Sequence, residues 1–128
     1  MGNEERALTE VDGDDFGVER VLLEASVGLI AVHGQADLHT APALREALGD
    51  AIDDGADRLI VDLSDATFVD SMTLGVLLGA VKRLRARGGQ VAIVCQSPHI
   101  RRIFEITLLD RVFAMHDTLA SAREATAG

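Results

Sequence analysis

Residues 59–79 read Leu-Ile-Val-Asp-Leu-Ser-Asp-Ala-Thr-Phe-Val-Asp-Ser-Met-Thr-Leu-Gly-Val-Leu-Leu-Gly. The unbroken apolar run Leu59–Val61 predicts a buried strand. A short polar loop follows, then Phe68-Val69 and Asp70-Ser71. From there apolar residues recur at Leu74, Leu77, Leu78, Val81 and Leu84, the spacing of one helix face. Ser71 is therefore predicted at the start of a helix just after a strand. Its hydroxyl lies near the backbone N–H groups that a helix leaves unpaired. A phosphate on that oxygen would sit where the aligned peptide dipoles favour an anion. The position suits a switch.

Working outward, Val18–Glu24 and Val27–His33 predict two strands, antiparallel because so few residues separate them. Thr40-Ala41-Pro42 opens a helix with a capping hydroxyl and an early proline. Leu44, Ala47, Leu48, Ala51 and Ile52 continue it to Gly55. Arg58–Leu63 is a third strand, and the second helix spans Ser71–Arg87, stopped by Gly88-Gly89. Lys82, Arg83, Arg85 and Arg87 cluster in its last turns, where cations suit the dipole. Gln90–Cys95 is a fourth strand. Ser97-Pro98 starts a third helix with Ile100, Ile103 and Phe104 on one face. Val112–Met115 is a short fifth strand, and Asp117 caps a last helix carrying Leu119 and Ala122. This alternation implies right-handed crossovers and an α/β fold: a mixed, mostly parallel sheet of four to five strands with about four helices.

At 128 residues the chain is large enough for one core but not for two. Four Phe with no Trp or Tyr leave that core to Leu, Val, Ile and Ala. A net charge of −9 disfavours a nucleic-acid backbone, which needs a basic face, and equally an anionic membrane surface. The first six residues carry acids where a signal peptide needs bases. No apolar run approaches the ~18–20 residues of a membrane span. Cys95 is the single cysteine and cannot form an internal disulfide. A cytoplasmic protein is expected. Residues 1–15 carry six acids and no apolar periodicity, and read as a flexible acidic lead-in before a domain over 16–128.

Strand, loop, Phe-x-Asp-Ser-x-x-Leu-Gly and amphipathic helix together resemble the phosphorylation-site signature of bacterial anti-sigma factor antagonists, members of the STAS domain family. Upstream, Gly34-Gln35-Ala36-Asp37-Leu38 is similar to the family's Gly-Glu-x-Asp loop. Downstream, Ser97-Pro98, Ile103-Phe104-Glu105-Ile106 and Leu109 through Phe113 resemble its closing helix and strand. The likeness runs from Phe16 to Ala125 and implies a single STAS domain without catalytic activity or cofactor. It further implies that Ser71 accepts phosphate from an anti-sigma factor serine kinase and that a serine phosphatase removes it. The unphosphorylated form would bind that kinase through Asp37, Asp70, Ser71, Met72 and Thr73, as a monomer or weak homodimer. The family pattern is usually Asp-Ser-Ser/Thr-Gly-Leu-Gly. Here Met72 replaces a small hydroxyl residue and Thr73 replaces glycine, whereas Leu74-Gly75 is kept. Gln35 stands where Glu is usual.

Each residue also has a plainer reading. On two residues alone, Asp70-Ser71 is an ordinary helix cap and Asp37 an ordinary turn residue. His33, His39, His99 and His116 lack metal-ligand spacing, so no metal site is expected. Cys95, in an apolar strand, reads as buried and inert. Arg101-Arg102 reads as a solvated helix face. A serine-hydrolase elbow needs small residues where Val69 and Thr73 stand. An Asp-x-Asp phosphatase needs an acid at Met72. A receiver domain needs a lysine after its last strand, but Lys82 lies within a helix. The remaining alternative is a non-catalytic STAS scaffold subunit of a stress-signalling assembly or lipid-transport complex, with Ser71 as a structural cap only.

Overall fold

The apolar run at 59–61 becomes the centre of the molecule. In the computed structural model, which describes residues 6–10, 16–24 and 26–127, Leu59, Ile60 and Val61 are fully buried. They lie on β4 (Arg58–Val69), inside a six-stranded sheet whose spatial order follows the chain. β1 (Arg6–Glu10), β2 (Phe16–Glu24) and β3 (Val27–Ala36) pair antiparallel. β3, β4, β5 (Gln90–Val94) and β6 (Ala114–His116) pair parallel. Parallel neighbours require crossovers, and helices α1 (Ala41–Asp53), α2 (Ser71–Arg85) and α3 (Pro98–Ile106) supply them. All three contribute to the larger core, with Val61, Leu63, Leu77, Leu84, Ile93 and Phe104. α4 (Leu119–Ala127) covers the other face, where Ala122 meets Ile60, Ala92 and Val94. A strand covered on both faces must be apolar throughout, which is why 59–61 shows no alternation.

The α/β class and mixed sheet are as expected. The sheet gains a strand because Arg6–Glu10, assigned from sequence to the lead-in, pairs with Gly17–Val21. A five-residue strand among acids is too short to display a period. The rest of the 1–15 assignment falls on residues 1–5 and 11–15, outside the described residues. β3 and β4 also run past their expected ends at His33 and Leu63. β4 continues through the supposed loop, pairing His33 with Asp65, Gln35 with Phe68 and Ala36 with Val69. Two register shifts in this stretch break the two-residue alternation, so the sequence looks like a loop.

Helix ends differ in detail. α2 stops at Arg85, and the N–H of Gly89 donates to the carbonyl of Leu84 at 2.8 Å. A Cβ at Gly89 would lie 1.8 Å from the Asp57 carbonyl oxygen, so only glycine fits. A short 3-10 turn, Leu109–Arg111, precedes β6, which begins at Ala114 rather than Val112. Phe113 is buried and packs edge-on against Phe104 at 5.6 Å. Asp117 does not cap α4. It pairs with Arg101, and the hydroxyl of Thr118 accepts from the N–H of Ser121 instead.

Candidate functional site

Pairing between β4 and β5 ends at Asp62 and Val94, whereas β3 and β4 stay paired to Ala36 and Val69. The two strands therefore project as an arm beyond β5. At its tip, the chain after β3 turns at Asp37, and the chain after β4 enters α2 at Asp70 and Ser71. The N–H of Asp70 donates to the carbonyl of Ala36 at 3.1 Å, which keeps the two exits side by side. Strand register thus brings together residues 33 positions apart.

Both aspartates are half-buried and bonded to backbone. Asp70, extended at φ −109° and ψ 179°, is the N-cap of α2: its Oδ1 accepts from the N–H of Thr73 at 2.9 Å. Its Oδ2 accepts from the N–H of Leu38 at 3.0 Å. Asp37 Oδ1 accepts from the N–H groups of His39 at 2.9 Å and Thr40 at 3.3 Å, closing the turn into α1. The hydroxyl of Thr40 does not cap α1. It donates to the Gln35 carbonyl and accepts from the N–H of Asp37 at 2.8 Å, bracing the same turn.

Ser71 is therefore the first helical residue: the Asp70-Ser71 pair does hold the cap of α2, but the capping residue is Asp70 and not Ser71. The side chain of Ser71 is exposed, and its hydroxyl has no hydrogen-bond partner among the described residues. Among the described residues the N–H groups of Ser71 and Met72 also lack backbone partners, as the opening turn of a helix requires. A free nucleophilic oxygen stands beside two free donors at the positive end of a 15-residue helix.

Of the residues expected to form the surface, Asp37, Asp70, Ser71 and Met72 gather at the arm tip, with Met72 44% exposed. Thr73 does not: it is fully buried, so its side chain cannot touch a partner. Its position in the first turn points it inward with Leu74 and Leu77, and its Oγ1 has no hydrogen-bond partner. Two residues at the tip escaped notice as contacts, Leu38 (58% exposed) and Phe68 (41% exposed). The signal available was a large apolar side chain next to polar ones, Leu38 between Asp37 and His39 and Phe68 after Thr67. Together with Met72 they give the surface around Ser71 an apolar element.

Other expected features lie elsewhere. Cys95 is fully buried, and burial, chiefly, pushes its thiol pKa above the ordinary value. Arg101 is not simply solvated: besides Asp117 it donates to the Cys95 carbonyl at 3.3 Å. The four histidines sit on separate elements, and His116 Nδ1 lies 2.8 Å from the hydroxyl of Ser121. Among the described residues no group of three His, Cys, Asp or Glu side chains is placed to hold a metal ion. Among them, too, no helix is long and apolar enough to cross a membrane.

Known proteins are similar to this chain in sequence and in fold. An anti-sigma-B factor antagonist of Bacillus subtilis is 36% identical over 78 residues, 61% of this chain and 71% of that protein. The anti-sigma-F factor antagonist RsfB of Mycobacterium tuberculosis is 30% identical over 96 residues, covering 75% of this chain and 78% of its own length. The crystal structure of an anti-sigma factor antagonist from Mycobacterium paratuberculosis superposes with a TM-score of 0.77 at 30% identity, over 95% of this chain and 96% of that one. The STAS domain model matches residues 21–122, a span that runs from β2 to α4 and includes the whole arm tip. The chain belongs to the STAS domain family.

Proposed function

We propose that this chain is an anti-sigma factor antagonist that works by binding and not by catalysis. Unphosphorylated, it engages an anti-sigma factor serine kinase through the arm tip, and phosphorylation of Ser71 by that kinase switches it off. A serine phosphatase restores the binding form. The observation that carries this reading is the exposed hydroxyl of Ser71 at the first position of α2, without a hydrogen-bond partner among the described residues. Its similarity to relatives named as antagonists supports the same role. The setting is the cytoplasm, where sigma factors act, with the chain as a monomer or weak homodimer.

The switch follows from charge. A phosphoserine carries about −1.5 to −2 charges at neutral pH. The free N–H groups of Ser71 and Met72 can accommodate it without unfolding α2, so the fold persists. Asp70 adjoins it in sequence and Asp37 lies across the arm tip, so negative charge gathers at a surface that also exposes Leu38, Phe68 and Met72. A partner shaped to Leu38, Phe68 and Met72 would have to desolvate that charge. A loss of about 3 kcal/mol already weakens binding roughly a hundredfold.

Titration calorimetry against the anti-sigma serine kinases of the source organism tests the proposal. Wild type and Ser71→Ala should bind one of them with similar affinity, and Ser71→Asp far more weakly. Equal binding by Ser71→Asp would remove the switch. If no kinase bound or modified wild type, the scaffold reading would replace the regulator.

A further inference from the structure

One groove lies outside the arm tip but leads away from it. It runs between α1 and α2, encloses about 380 Å³, and is floored by buried Leu48, Ile52, Val76 and Ala80. Its walls open where side chains are missing, at Gly49 on α1 and at Gly75 and Gly79 on α2. Glycine weakens a helix, so two of them on the exposed side of α2 call for a reason. Packing within the chain is not the reason: a Cβ at Gly75 or Gly79 would meet no atom within 4 Å. Gly75 belongs to the motif already matched, so Gly79, one turn further on, carries the argument.

Charge and continuity identify the occupant. Arg45 and Arg83 line the groove, although the chain as a whole carries −9. Arg83 shares its charge with Asp53 at 2.7 Å, and Arg45 has no carboxylate partner among the described residues. The lining residue nearest in sequence to the arm tip is Gly75, on the first turns of α2. Met72 lies three and seven positions before Gly75 and Gly79, on the same side of α2, and exposed Leu38 lies just ahead of α1. From Arg45 to Ile52 the groove extends about 10 Å, two turns of helix.

We propose that this groove seats a two-turn helical segment of the anti-sigma factor, apolar toward the floor and bearing carboxylates toward Arg45 and Arg83. Missing side chains at 75 and 79 let the segment's backbone approach α2 closely. The phosphoacceptor end then reports the modification state, and the groove supplies affinity and partner choice. This inference rests on the reading that the partner is an anti-sigma factor.

Gly79→Leu fills the groove, Arg45→Glu reverses its charge, and Arg123→Glu, on α4 across the sheet, is the control. Each is titrated against the purified kinase that binds wild type, and each is melted to check folding. Gly79→Leu should melt at or above wild type and bind at least tenfold more weakly. Arg45→Glu should lose about tenfold and flatten the salt dependence, with Arg123→Glu unchanged. If wild type and all variants bind alike while Ser71 is still phosphorylated, the groove inference is wrong and the regulator reading stands. If wild type binds no kinase, both fail. A concentration-dependent dimer abolished by Gly79→Leu would assign the groove to a second copy and overturn the inference.

Discussion

The carboxylate of Asp70 holds the backbone N–H of Leu38 at 3.0 Å, across 32 positions of sequence, while its other oxygen caps α2 at Thr73. One side chain thereby fastens the turn after β3 to the helix after β4. The geometry of the surface around Ser71 depends on it.

Asp70→Ala should therefore destabilise more than Ser71→Ala. Losing the cap costs about 0.5–2 kcal/mol, and stranding the Leu38 N–H adds to that. Ser71, exposed and outside the capping role, should cost less than about 0.5 kcal/mol. Denaturant melts of the two variants check the order, and Asp70→Asn should recover only the capping part of the loss, because its amide nitrogen cannot accept from the N–H of Leu38.

Thr73 offers a test of opposite sign. Its hydroxyl is buried without a partner, so the near-isosteric Thr73→Val should stabilise by about 1 kcal/mol. A thermal melt that drops instead would show that the hydroxyl has a partner in solution.

Leu77 and Leu78 share the apolar pattern of α2 but not its environment. Leu77 is fully buried, and Leu77→Ala should cost about 2–5 kcal/mol. Leu78 packs only partly against the core, so Leu78→Ala should cost about half as much or less. Urea midpoints measure both.

Cys95 makes stability fall at high pH. Burial raises its folded pKa above the ordinary thiol value of 9.0, so the folded chain holds the thiol proton after the unfolded chain has released it. This contribution is fully present below pH 9.0 and fades as pH rises through and beyond that value. Cys95→Ala should flatten the decline, read from melts between neutral pH and pH 10.5. In native protein the thiol should resist a maleimide until the chain unfolds.

The parts of the fold legible in the sequence were those with one strong period or none. Leu59–Val61 announced a doubly covered strand, and the repeat from Leu74 to Leu84 announced α2. Residues 64–69 were illegible because the register shifts there scatter exposed and buried positions, although this stretch builds the arm. At the site, local order placed Ser71 at a helix start, but which of two neighbouring residues is the cap depends on backbone angles at Asp70. The inward turn of Thr73 follows from the phase of α2 against the sheet, and the apolar collar of Leu38 and Phe68 from strand pairing. Both are tertiary facts.

Phosphosite mapping by mass spectrometry, after incubation with the anti-sigma serine kinase and ATP, tests the central claim most directly. Wild type should gain one phosphate, located on Ser71. Ser71→Ala should gain none while still binding the kinase. Phosphate found on Ser64 or Thr73, or retained in Ser71→Ala, would contradict the account.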